Sequence, residues 1–468
     1  MDRLRTRLAG RLVLPPDAGY DTALQLQSAQ FDAIRPRGIA YCANASDVSE
    51  CVRFALDNGI PVTARAGGHS SAGYSTTDGL VVDLSILDDV VVGRSTIRIG
   101  AGAQAVDVLA ALEPHGRQVA TGTCATVCAG GFLLGGGHGP QARKFGLASD
   151  RLVAADVVLA DGTEVRASAH EHPDLFWALR GAGGCNFGIV TALEVRPTRV
   201  PSMVTFDLTW DWADALDVLT AWQDWVIDAP GELAARFWVA APGAAAAPQV
   251  LVHGAYLGAE PDCARSLDRL VAAVARPPVS RCVADLPYTQ AMMRIFNCAN
   301  RTVAQSHRVG HSPQAQLPRD HHISTRNRFL TQPMPPEGSA AALAAFAADR
   351  RPAQFRIFGM YAFGARINEL APDATAYCHR DAQLSAFASL NLITPDHSPD
   401  DREAARTWVD RCFDTIDPFS NGESFQNFMD PALKDWRTAY HGSNYPRLRA
   451  VKHHYDPHTL FQSPQSIA

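Results

Sequence analysis

Lysine is nearly missing from this chain: Lys144, Lys434 and Lys452 are the only three among 468 residues, and the formal net charge is −6. That balance offers no general attraction to phosphate polymers, so nucleic acid is not an expected partner. No apolar run reaches the roughly 18 residues a membrane span requires, and no membrane association is expected. Arg3, Arg5, Arg7 and Arg11 crowd the N-terminus without the apolar stretch of a secretory signal, so the expected location is the cytoplasm. The ten cysteines include no CxxC pair. In a chain without a signal this favours reduced thiols over a disulfide scaffold. The pairs His321-His322 and His453-His454 diverge in either helix or strand, and no metal site is expected. GxGxxG in a strand–loop–helix frame and GxxxxGK[ST] are both absent, which excludes a Rossmann dinucleotide unit and a P-loop.

What is present suits a globular protein of more than one subdomain, with 47% hydrophobic and 19% charged residues. Val48, Cys51, Val52, Ala55 and Leu56 recur at helical spacing and predict a helix over 46–59, capped by Ser46 and ended by Gly59 and Pro61. Strands are expected over 61–66, 79–84, 96–100 and 152–159, with a hairpin turn at Asp161-Gly162. Helices are expected over 105–112 and 174–180, the second stopped by Gly181. Beyond residue 201, strand-like runs (203–210) alternate with helical ones (213–226), and 356–365 reads as a strand. The pattern predicts an α+β fold with three regions: 1–200, a second domain of mixed sheet and helices over 201–418, and a tail, 419–468, that returns to the first.

Two glycine-rich loops carry the chemistry. The first is Arg65-Ala66-Gly67-Gly68-His69-Ser70-Ser71. The second runs from Thr121-Gly122-Thr123-Cys124-Ala125-Thr126-Val127-Cys128 through Gly130-Gly131, and a third cluster follows at Gly135-Gly136-Gly137-His138-Gly139. Glycine lets the backbone approach a ligand closely, and successive free N–H groups bind phosphate. His69 and Cys124 are nucleophiles, each inside such a loop. Together they point to a phosphate-bearing cofactor that can be held covalently.

These residues resemble the berberine bridge enzyme family of FAD-linked oxidoreductases, within the vanillyl-alcohol-oxidase type of flavoprotein. The resemblance rests on Arg65 to Ser71, on Gly122 to Val127, on Gly135 to Asp150, on Asp174 to Val190, and on Asn444 to Leu448 with the closing residues. It implies the two-domain FAD-binding fold of that type, with a substrate domain of mixed sheet flanked by helices. It implies FAD joined to His69 and to Cys124, with Cys128 as a rival thiol. The backbone of Arg65, Ala66, Gly67, Gly68, Ser70 and Ser71 is expected to cradle the pyrophosphate. Gly188, Ile189 and Val190 are expected near the adenosine half. Gly122, Thr123, Gly130, Gly131, Gly136, Gly139 and Asn427 complete the expected cofactor contacts. Val127 falls where the family places its oxygen-gating residue and resembles the oxidase members, which implies dioxygen as acceptor and hydrogen peroxide as product.

Three positions depart from the family's pattern. Phe425-Gln426-Asn427-Phe428 lacks the usual tyrosine, His138 replaces another, and Ser71 a third. His138 and Tyr361 are therefore the candidate catalytic residues, and an already activated substrate needing no base is the other possibility. The implied function is two-electron oxidation of a bulky small molecule such as a polyketide, glycosylated or alkaloid-like natural product. The alternatives are an oligosaccharide or hexose oxidase making lactones, and a flavin-bearing small-molecule binding protein without turnover. Oligomeric state is not legible.

Overall fold

The computed structural model describes the whole chain, Met1–Ala468. Its strands form three sheets. The first holds β1 (Arg11–Val13), β2 (Gly38–Tyr41), β3 (Val62–Arg65) and β4 (Leu80–Asp83) in the order β1-β2-β4-β3, with β2 and β3 both parallel to β4. The second holds β5 (Val90–Val92), β6 (Ile97–Gly100), β7 (Leu152–Val158), β8 (Glu164–Ser168) and β9 (Ile189–Val195) in the antiparallel order β5-β6-β9-β7-β8.

The third sheet is antiparallel and seven-stranded. Its members are β10 (Ser202–Asp211), β11 (Leu233–Pro242), β12 (Gln249–Tyr256), β13 (Ser280–Pro287), β14 (His322–Leu330), β15 (Gln354–Ala362) and β16 (Leu384–Leu392), in the order β13-β10-β12-β11-β15-β16-β14. The period-2 alternation of Leu233, Ala235, Phe237 and Val239 sends one face of β11 into a core. Helices Ala215–Ile227, Glu260–Val274, Pro336–Ala347 and Pro399–Ile416 cover that face. The α+β fold expected from the sequence is the one observed.

Local differences have physical reasons. Asn44, not Ser46, caps the helix Ala45–Asn58: its backbone is extended and its side chain accepts from Asp47 N at 2.9 Å. The helix expected to stop at Gly181 kinks there and continues to Ala182. The strand expected to run to residue 365 ends at Ala362, where Phe363 N turns to donate to Gln383 O at 2.7 Å.

The tail packs back on the second sheet. Leu448, Val451, Tyr455 and Ile467 enter the core formed by residues of β6, β7 and β9. Lys452 lies buried among Asn186 O, Phe461 O and the Asp456 carboxylate, each at 2.7 Å. No helix is long and apolar enough to cross a membrane.

Candidate active site

Strand β3 delivers the first glycine loop. Its last residue, Arg65, is buried and spends its guanidinium on Asp83 and on Ala23 O at 2.8 Å, so only its backbone is left to face a ligand. None of the backbone N–H groups from Ala66 to Ser71 donates to a protein acceptor. Gly68 has φ 69°, the left-handed region. Ser70 Oγ accepts from Tyr74 N at 3.1 Å, and Ser71 Oγ donates to Met429 O at 2.8 Å, which ties the loop to the tail.

The second loop is pinned from behind. Helix Ala105–Leu112 begins with Ala105 N and Val106 N donating to Val127 O and Ala125 O, both at 3.0 Å. The N–H groups from Gly122 to Val127 are left without protein acceptors. Thr126 then joins the two loops. Its hydroxyl lies 2.9 Å from His69 Nε2 and 3.7 Å from Cys124 Sγ. The His69 imidazole makes that hydrogen bond through one nitrogen and leaves Nδ1 free. Burial, reinforced by the Arg308 cation, lowers its pKa to about 4, so the ring is neutral at pH 7 and keeps a nucleophilic lone pair.

Cys124 is exposed while Cys128 is buried, and neither is in a disulfide. The Cys128 thiol donates to Gly102 O at 3.0 Å, and burial raises its pKa. A protonated, enclosed thiol is a poor nucleophile. The geometry favours Cys124 over its rival.

The third cluster faces the second loop across a close approach: a Cβ on Gly139 would lie 2.0 Å from Thr121 O. Asn427 braces this cluster from the tail, with Gly137 N donating to its Oδ1 at 3.0 Å and its Nδ2 donating to Gly131 O at 3.2 Å and Phe132 O at 3.3 Å. Its polar atoms are thereby committed to backbone. Gly130 N donates to Ala101 O at 2.9 Å, Gly131 is exposed, and Gly136 is buried with φ 116°. Thr123 is half-buried. Val127 lines an apolar cavity with Val119, Gly122 and Phe132. Gly188 sits against Val157 and Val158, and the side chains of Ile189 and Val190 are buried in two separate cores, so they are not gathered with His69 and Cys124.

His138 and Tyr361 do come together, with ring centroids 6.0 Å apart. His138 Nε2 lies 3.0 Å from Ala362 O, which assigns the proton to Nε2 and leaves Nδ1 as a lone pair. Burial lowers its pKa to about 4, and Phe363 stacks on it at 4.2 Å. Tyr361 stacks near-parallel to Phe387 at 5.1 Å and to Phe428 at 6.4 Å. Burial raises its phenol pKa while Arg236, its register partner on β11, pulls the other way. Phe425 is buried against Phe329, Phe363 and Tyr377.

Sequence reasoning missed Thr126 as the joint between the loops, although it stands inside the quoted motif. It also missed Arg236, visible as the one charge in the alternating run Leu233-Ala234-Ala235-Arg236-Phe237-Trp238-Val239. Buried His379 was missed too. Its Nδ1 meets Glu423 Oε2 at 2.7 Å and its Nε2 meets Gln426 Oε1 at 3.1 Å, locking the segment that carries Phe425 and Asn427. Cys378, His379 and Glu423 form a cluster of possible metal-ligand atoms. Nothing local marks those residues before folding.

Comparison with known proteins fits this geometry. Residues 36–168 match the FAD binding domain family, and residues 424–468 match the berberine and berberine-like family. The FAD-linked oxidoreductase dpmaF of Metarhizium anisopliae is 31% identical over 92% of this chain and 84% of its own length. The chain belongs to the berberine-like FAD-linked oxidoreductases. The structure of Physcomitrella patens BBE-like 1 superposes with a TM-score of 0.89 at 26% identity, over the whole of this chain and 98% of that one. The chitooligosaccharide oxidase of Gibberella zeae is 29% identical over 92% of this chain and 87% of that protein. The protein is thus an FAD-linked oxidase of the vanillyl-alcohol-oxidase type. The residues present fit that cofactor: unpaired N–H groups suit a pyrophosphate, and a neutral imidazole and an exposed thiol meet at one hydroxyl.

Proposed function

We propose that this oxidase holds FAD through two covalent bonds, at His69 and Cys124, and oxidises a bulky small molecule by two electrons with dioxygen as acceptor. The observation that carries this reading is the convergence of His69 Nε2 and Cys124 Sγ on the Thr126 hydroxyl. Bound FAD supplies the two-electron acceptor and returns its electrons to dioxygen, releasing hydrogen peroxide.

The chain's own residues do the rest. The unpaired N–H groups of Ala66 to Ser71 receive the pyrophosphate. The backbone of Gly188 to Val190 is assigned to the adenosine half. Asn427 braces the Gly131–Gly137 stretch, and Ser71 ties the first loop to Met429. His138 Nδ1 takes the substrate's proton, because that nitrogen is unprotonated at neutral pH and its partner is fixed on Ala362 O. Tyr361, protonated, donates a hydrogen bond to the substrate oxygen or nitrogen. Val127, small and at an apolar cavity, leaves dioxygen a path. Residues 1–200 with 419–468 are proposed as the cofactor-binding unit and 201–418 as the substrate unit.

Chitooligosaccharide oxidase among the relatives favours a second reading, oxidation of sugars to lactones. The test is peroxide release from a panel of simple sugars, oligosaccharides, phenolic polyketides and alkaloid-like amines. Anaerobic bleaching of the flavin is followed in parallel. Turnover with the planar compounds supports the first reading, turnover confined to sugars supports the second, and bleaching with none of them removes both.

A further inference from the structure

We propose that the face of the seven-stranded sheet turned away from its helices is an anion-recognising subsite, in which Arg236 receives a carboxylate carried by a planar, conjugated substrate. This rests on the reading above, since the face meets the cofactor loops through Tyr361 and His138.

Register places a row of polar side chains across that face. Asp207 on β10 pairs with His253 on β12, His253 with Arg236 on β11, Arg236 with Tyr361 on β15, and Tyr361 with Ser385 on β16. Directly opposed residues on neighbouring strands share a face, so these side chains stand together on the side away from the helices. Arg236 is half-buried at the centre of the row, and its guanidinium lies over the Trp238 ring, 5.1 Å from the centroid. Its cross-strand neighbours are His253 and the Tyr361 phenol, and neither supplies a negative charge at neutral pH. Asp207, the carboxylate in the row, is two strands away and is held by Arg294 at 2.6 Å.

A partly desolvated guanidinium without an anion is costly, and a carboxylate in fork geometry is the partner it suits best. The surroundings point the same way. Trp238 Nε1, His253 Nε2 and Ser385 Oγ are buried without any hydrogen-bond partner. Buried polar atoms in folded proteins are normally satisfied, so the two orphans beside Arg236, on Trp238 and His253, with Ser385 two strands away along the same row, mark where a ligand's polar atoms go. The Trp238 and His253 rings meet edge-on at 4.5 Å, closing one flank. On the other flank the rings of Phe387 and Phe428 stack near-parallel to Tyr361, and Phe428 is 37% exposed. A planar conjugated ligand can extend such a stack of rings. A neutral sugar leaves the guanidinium unpaired; a planar acid does not.

The test is calorimetric titration of the isolated full-length protein with naphthalene-2-carboxylate and with its neutral isostere, naphthalene-2-carboxamide, while the fluorescence of its eight tryptophans is recorded. The wild type is expected to bind the acid about tenfold or more tighter than the amide. Arg236→Gln closes that gap, and Arg236→Lys, which keeps charge but loses the fork, closes it in part. Trp238→Phe removes the fluorescence response and retains the preference. Equal affinities in the wild type, binding of neither probe, or a gap that survives Arg236→Gln overturns the proposal. These binding readouts do not need turnover. If the covalent flavin is absent but the acid still binds through Arg236, the flavin reading fails and this one stands; an attached flavin with no acid preference gives the reverse.

Discussion

Asn427 and Gly137 are 290 positions apart, yet Gly137 N donates to Asn427 Oδ1 at 3.0 Å, so the tail holds the loop that carries His138. Asn427 is half-buried and makes two further bonds to Gly131 O and Phe132 O. Asn427→Ala removes all three and is expected to cost about 2 kcal/mol, mostly by leaving backbone groups unpaired. Thermal unfolding checks the magnitude, and amide exchange at 131–137 should rise selectively. Uniform exchange changes across the chain contradict the brace.

Buried His379 and half-buried Glu423 form an ion pair at 2.7 Å. Burial opposes the imidazolium, but Cys378 and Glu423 outweigh it and push the pKa up to about 10. Burial likewise raises Glu423, and the His379 and Asn421 hydrogen bonds bring its pKa below the usual value. A raised histidine contributes stability fully below its unfolded pKa near 6.5, and that stability is lost as pH rises towards 10. The depressed carboxylate contributes above its unfolded value near 4.5 and loses its share as pH falls. The pair is therefore worth most between about pH 4.5 and 6.5. The melting temperature should decline from pH 6.5 to 10 in the wild type and decline less steeply in His379→Gln.

His138→Gln tests the proposed base. With flavin content unchanged, kcat should fall by about 10² to 10⁴. In the wild type the neutral ring is competent above its pKa of about 4, so kcat/KM should stay level from pH 5 to 8 and drop only as pH approaches 4. An acid limb near 6.5 in the wild type contradicts the buried, neutral assignment. Tyr361→Phe should lower activity without moving that limb.

Much of this was legible beforehand, and the reason is local. The glycine-rich loops that bring His69, Cys124 and Thr126 together lie within short stretches, 65–71 and 121–139, where spacing along the chain becomes spacing in space. The helix 105–112 was read to the residue because its apolar positions recur at helical spacing, Val108 and Leu112 entering one core and Ala105, Val106 and Leu109 another. The cap at Asn44 was missed because Ser46 is an equally good capping residue, and only backbone geometry separates them. Arg236, Tyr361 and His253 meet through strand register across residues 236–361, which no motif records. The His379–Glu423 pair and the Asn427 brace are likewise long-range contacts that exist only after the tail docks.

Val127 gives a kinetic prediction. Stopped-flow mixing of reduced protein with air-saturated buffer should show reoxidation within seconds, and Val127→Leu, which fills the cavity beside Phe132, should slow it at least about tenfold, the equivalent of roughly 1.4 kcal/mol in the barrier. Reoxidation over minutes in the wild type removes dioxygen as the acceptor.

The central claim is that His69 and Cys124 both hold the flavin, and intact-mass analysis with peptide mapping of the acid-denatured protein tests it most directly. The expected result is one FAD per chain, attached to peptides containing His69 and Cys124, with single attachment in Cys124→Ala and no change in Cys128→Ala. Flavin that washes away on denaturation, or that is found on Cys128, contradicts the account.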